Sequence, residues 1–157
     1  MAEQIAQKAE GAQQQPAPRA CGHDVGLLVL RVGIGILFIL HGWPKLTGGP
    51  DLWARLGGAM GGLGITFAPA FWGFMAAFSE AVGGLALALG VLVRPMSALM
   101  LINMLVATHM HVSKGDPFAT FSHPLALAVV FVSLILLGPG RYALGRFIPG
   151  LRGACCQ

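Results

Sequence analysis

The chain has 157 residues, 55% of them hydrophobic and only 10% charged, with a mean hydropathy of +0.73. Soluble domains usually carry about 25% charged residues, so this composition describes one integral membrane domain. The net charge of +4 comes from ten scattered Lys and Arg that form no basic face with interleaved aromatics, which excludes a nucleic-acid binder.

Residues 1–23, biased to Ala, Gln and Pro, read as a disordered cytoplasmic tail with a frayed helix over residues 2–10. They contain no apolar core, so no cleavable signal peptide is expected. Residues 24–140 are expected to form the membrane domain and residues 141–157 a short cytoplasmic C-terminal tail. The pattern predicts an all-α fold, an integral membrane four-helix bundle. Its first span covers residues 25–40, opened by Asp24 as an N-cap and closed by the breakers Gly42 and Pro44. Leu52, Trp53, Leu56 and Met60 then share a helical face, which predicts a short interfacial helix over residues 51–60. The glycine-rich run after it lacks the Lys-Ser/Thr ending of a phosphate-cradling loop.

The second span, residues 67–93, is long enough to cross a bilayer with some tilt. Arg94 and Pro95 make a tight turn into the third, residues 96–112. The fourth covers Phe118–Leu137, where Pro124 either starts or kinks the helix and Gly138, Pro139 and Gly140 end it. Trp43, Trp53, Trp72 and Tyr142 fall near span ends, as an aromatic belt requires. Gly33 with Gly35, and Gly83 with Gly84, are expected to let helices approach closely. Cys21, Cys155 and Cys156 lie outside the spans and make no disulfide framework. Lys8, Arg19, Arg94, Arg141, Arg146 and Arg152 collect on one side, against Lys45, Arg55 and Lys114 on the other. The positive-inside rule therefore places both termini in the cytoplasm.

Glu80 sits near the middle of the second span, where an unpaired charge costs several kcal/mol and an ionisable group is by default a functional-site candidate. Counted at about 1.5 Å per residue from the cytoplasmic side, Arg31 and Asn103 make a lower polar level and Glu80 and His109 an upper one. His41, His111 and His123 come just above it. An Arg31–Glu80 ion pair is one way of closing the gap of about 11 Å; snorkelling of Arg31 to the cytoplasmic surface is another. The functional reading is a polar pocket, open to the periplasmic face, that handles a proton, a metal or a quinone headgroup. The alternative is a set of groups that only bind the bundle together. His109 and His111 are two apart and point to different faces, and neither HxxxH nor HExxH occurs, so no segment supplies a helical metal pair. Met96, Met100 and Met104 share a face, read as packing ahead of a soft-metal path.

Residues 31–45 read RVGIGILFILHGWPK, and residues 80–94 read EAVGGLALALGVLVR. The first resembles the DoxX family pattern of an Arg, spaced glycines, a Phe and a closing His-Gly-x-x-Lys. The second is similar to that family's Glu, Gly-Gly, small apolar run and Gly-x-x-x-Arg. His109 and His111 before a Gly-containing loop also fit, and the likeness covers about residues 25–140. It implies a bacterial inner (plasma) membrane four-helix bundle linked to redox chemistry. Relatives of this kind include the small subunit of an archaeal thiosulfate:quinone oxidoreductase and quinol-oxidase-associated proteins, and many members are grouped with oxidoreductases without a demonstrated reaction. Arg31, His41, Lys45 and Glu80 match the family-type polar positions.

The expectation is an accessory subunit of a quinone- or thiol-linked redox system, not a self-sufficient enzyme. No CxxCH and no strand–GxGxxG–helix context suggests an intrinsic haem, flavin or nicotinamide, which leaves a quinone as the cofactor and no metal site. Glu80, His109 and Arg31 are the candidate catalytic residues, with Arg31 setting the protonation of Glu80. His41, Lys45 and Asn103 are the candidate ligand-binding residues. The partners are the lipid bilayer and either a redox protein or further copies of the chain. A small-solute or metal carrier and a structural assembly factor are the competing readings.

Overall fold

A computed structural model describes residues 21–147. The N-terminal tail up to residue 20, with Lys8 and Arg19, lies outside the described residues, as do Arg152, Cys155 and Cys156. Among the described residues five helices follow one another: α1 Cys21–Thr47, α2 Gly49–Gly57, α3 Pro69–Leu89, α4 Val93–Ser113 and α5 Phe118–Leu137. Short 3₁₀ turns cover Gly58–Leu63 and Leu144–Phe147, and no strand occurs among the described residues. All but α2 are long and apolar enough to cross a membrane. At about 1.5 Å per residue a helix of 21 residues reaches about 31 Å, the thickness of the hydrocarbon core. The protein is a multi-pass helical membrane protein.

The breakers expected to end α1 do not end it. Gly42 and Pro44 lie inside the helix, which continues to Thr47, where the hydroxyl donates to the carbonyl of Trp43 at 3.0 Å. In a bilayer an interrupted backbone has no water to turn to, so proline is carried within a helix when neighbours satisfy the freed groups. At the end of the helix Trp53 donates its indole N–H to the carbonyl of Lys45 at 2.9 Å, one of the last carbonyls, which have no partner within the helix. Asp24 is not the N-cap either: it lies within α1, buried, and its Oδ1 accepts the backbone N–H of Arg141 at 3.1 Å.

Pro69 opens α3, and Gly90 closes it in the left-handed conformation at φ +73°. The amides of Gly90 and Val91 return to the carbonyls of Leu87 and Ala86, a glycine-capped ending. The reversal is so short that α4 begins at Val93, three residues before its expected start, and this sets the register of the site. Pro124 is buried within α5 and does not start it, since the helix opens at Phe118; Gly138, at φ +73°, follows the last residue.

Lipid tails are as apolar as leucine, so helix association here depends on close packing more than on apolar burial. Gly35 of α1 faces Gly84 of α3, where an added Cβ would stand 2.6 Å from the Gly84 carbonyl oxygen. Gly33 faces open space, and Gly83 lies under the Met100 sulfur, so only one glycine of each expected pair makes the α1–α3 approach. The short α2 lies where the interfacial helix was expected. It presses on the start of α3, with Gly57 against the Pro69 carbonyl and Gly73 against that of Trp53. The core runs through Leu27, Phe38, Leu87, Met100, Phe131 and Leu134, while Val29, Leu40 and Leu136 point outward.

Candidate functional site

Glu80 is eleven residues from Pro69 and nine from Leu89, at mid-span of α3. The neighbouring α1 passes it at Gly42, where a Cβ would meet the Glu80 Cβ at 2.6 Å. One turn further along α1, Lys45 reaches back to the carboxylate. Its Nζ donates to Oε2 at 2.7 Å and to Oε1 at 3.0 Å, and Asn103 Nδ2 of α4 donates to Oε1 at 3.0 Å. The Glu80 side chain is 5% exposed and that of Lys45 25%, so the carboxylate is sealed and the ammonium is the member left accessible. A buried carboxylate is tolerable when paired and hydrogen-bonded, and three donor contacts meet that condition.

This cluster borders a half-open cavity of about 820 Å³. Its wall is mainly apolar, contributed by α1, α2, α3, α4 and α5, with residues such as Ile34, Leu37, Phe71 and Leu127. Among the polar groups on it are His41, Lys45, Glu80, Asn103, His111 and His123. His111 is held by Asp116, whose Oδ2 lies 2.7 Å from its Nδ1. Trp72 also lines the cavity, and its indole N–H is buried with no partner among the described residues. Four methionines, Met60, Met75, Met104 and Met110, add deformable wall. No group of three His, Cys, Asp or Glu able to hold a metal occurs among the described residues.

The structure thus brings together Glu80, Lys45, Asn103 and His41 from the expected set and leaves out two others. Arg31 is 1% exposed and makes no ion pair with Glu80. Its guanidinium donates to the carbonyls of Leu87 and Tyr142, each at 3.2 Å, seven residues or about 10 Å along α3 from Glu80. It does not snorkel either; it ties α1 to the end of α3 and to the segment after α5, where a helix C-terminus favours a cation. His109 lies off the cavity near Gly62, its Nδ1 buried without a partner among the described residues, while His111 faces the cavity. The two-residue spacing that separates their faces was legible; which of them turns inward was not.

Asn103 was expected at the level of Arg31, below Glu80. The two helices have no common origin in the turn, since α3 ends at Leu89 and α4 starts at Val93. Asn103 is ten residues from its helix end and Glu80 nine from its own, so the two face each other. Lys45 was placed on the aqueous side because Pro44 was read as a stop. Trp72, assigned to an aromatic belt, carried no signal of its orphan N–H.

A profile of the DoxX family matches residues 26–113, a stretch that includes Arg31, Lys45, Glu80 and Asn103. The inner membrane protein YqjF of Escherichia coli (strain K12) is 33% identical over 129 residues, covering 80% of this chain and 93% of that protein. No solved structure matches the chain.

Proposed function

The chain belongs to the DoxX family, and from that premise we propose that it is an accessory subunit of a redox system whose cavity binds a quinone-type ligand in the bacterial inner membrane. The membrane is suggested by the similarity to YqjF, an inner membrane protein. The observation that carries the ligand is the donor cluster at the wall of an apolar cavity. Lys45 and Asn103 satisfy Glu80 and each keeps a further N–H, and the Trp72 indole lacks a partner. These groups suit a hydrogen-bond acceptor. Lys45 and Glu80 cancel in charge, so an anion gains little while a neutral carbonyl gains donors. The volume falls in the range of small-molecule sites, with apolar wall left for part of a tail.

A bound quinone would supply the carriage of electrons together with protons; the chain itself supplies position and proton handling. Lys45 and Asn103 hold the Glu80 carboxylate in place, and each keeps an N–H that can turn toward a ligand carbonyl. His41, His111 and His123 continue the polar wall toward the cavity mouth, and Asp116 orients His111. Electrons come from a partner protein. Arg31 acts as a structural tie in this reading, and His109 has no part in the cavity.

Native mass spectrometry of mildly purified protein tests the ligand. Wild type is expected to retain a quinone that Lys45→Met and Glu80→Gln lose; an empty wild type, with both variants equally stable, overturns the reading. The Lys and Arg distribution supports cytoplasmic termini, with the α2 end of the bundle periplasmic. An impermeant maleimide added to intact spheroplasts should then label Lys114→Cys in a background lacking the native cysteines. Failure there, with labelling of Cys155 in a parallel sample of the wild-type chain, reverses the orientation.

A further inference from the structure

The backbones of α1 and α5 stay apart along nearly their whole length. Their one ring contact is Phe38 edge-on to Phe131 at 5.2 Å. Beyond it, Leu37 and His41 of α1 and His123 and Leu127 of α5 line the cavity from the two sides of the gap. Leu37 is 62% exposed and yet borders the cavity, and His41 and His123 are exposed too. A residue that faces both cavity and exterior marks an open side. His41 adjoins Gly42, which touches Glu80 at mid-span of α3, so the opening stands at the depth of the carboxylate. At that depth the exterior is hydrocarbon, not water.

We infer that the gap between α1 and α5, with the Phe38–Phe131 contact as its floor, is a lateral doorway through which a lipid-soluble ligand enters from the bilayer and through which its tail remains extended. The inference rests on the ligand reading above: an acceptor ring lies against Lys45 and Asn103, and a hydrocarbon tail leaves between Leu37 and Leu127. The occupant is therefore a neutral amphipath with a carbonyl-bearing head and an apolar chain, and a water-soluble solute of the same head chemistry is not the preferred ligand.

The test compares two probes in nanodiscs, a benzoquinone carrying a decyl tail and the same ring without it. Leu37→Trp and Leu127→Trp each fill the gap; Val29→Trp adds the same bulk to the outer face of α1, where Val29 is 66% exposed and does not line the cavity. Both plugs are expected to weaken the tailed probe at least tenfold, leave the bare ring within twofold, and differ from Val29→Trp, which changes neither. Equal weakening of both probes, or no weakening of the tailed one by folded plugged protein, overturns the doorway. Lys45→Met reports separately on the head, weakening both probes alike. Wild type that binds neither overturns the ligand reading and the doorway with it.

Discussion

Replacing Lys45 with Met removes the cation from a carboxylate whose side chain is 5% exposed. Stripping one partner from a buried ion pair costs about 3–5 kcal/mol, because the other charge stays buried and uncompensated. Two features reduce that here. Asn103 keeps its bond to Oε1 at 3.0 Å, and Lys45 is 25% exposed, so the pair is only partly buried. The expected loss for Lys45→Met is therefore about 2–3 kcal/mol. Glu80→Gln keeps the shape and an acceptor for both donors, and the ammonium it leaves is partly exposed, so about 1 kcal/mol is expected. The double variant should lose little more than Glu80→Gln alone, giving a coupling energy of about 2 kcal/mol. The assay is equilibrium unfolding in mixed micelles titrated with SDS, followed by tryptophan fluorescence. The same cycle with Arg31→Met in place of Lys45→Met should be additive within about 0.5 kcal/mol, since Arg31 bonds carbonyls elsewhere. A Lys45–Glu80 coupling below that limit, or an Arg31–Glu80 coupling above it, would refute the assignment of partners.

Glycine substitutions should divide by what the new methyl meets. Gly42→Ala drives a Cβ to 2.6 Å from that of Glu80 and should cost about 1–3 kcal/mol in the SDS titration, whereas Gly33→Ala meets nothing within 4 Å and should be neutral or stabilising by up to about 1 kcal/mol. Arg31→Lys should lose about 1–2 kcal/mol and hasten tryptic cleavage after Arg141, because one ammonium cannot span the Leu87 and Tyr142 carbonyls as the guanidinium fork does. Trp53→Phe keeps the edge contact with Phe74 at 5.0 Å and loses the bond to the Lys45 carbonyl, so about 1 kcal/mol is expected with the helical circular dichroism unchanged.

The spans were legible because lipid leaves the backbone few options, and a run of apolar residues of sufficient length has to be a helix. Residues 118–137 came out with their ends in place, fixed by Pro117 and Gly138, which flank α5 as its caps. The same reasoning misread α1. Gly42 and Pro44 are breakers in water, where a released carbonyl finds a new partner at once; in the bundle Gly42 is the point of closest approach to Glu80, and the helix carries Pro44 to put Lys45 within reach. A rule tuned to solvated helices therefore set Lys45 beyond the span and hid its pairing with Glu80, although Lys45 stood among the candidate ligand-binding residues.

That counterion changes what the buried carboxylate is. Read alone, Glu80 at mid-span is an exposed cost seeking relief, and the nearest cation on paper is Arg31, a residue always charged. With Lys45 and Asn103 in place the charge of Glu80 is balanced within the chain. The cavity beside it is then free to serve a guest. A guest that competes for Lys45 rather than for Glu80 has to be an acceptor, and one that reaches this depth through the α1–α5 gap has to dissolve in lipid first. In the proposed reading, charge balance selects the head of the ligand and the position of the opening selects its tail.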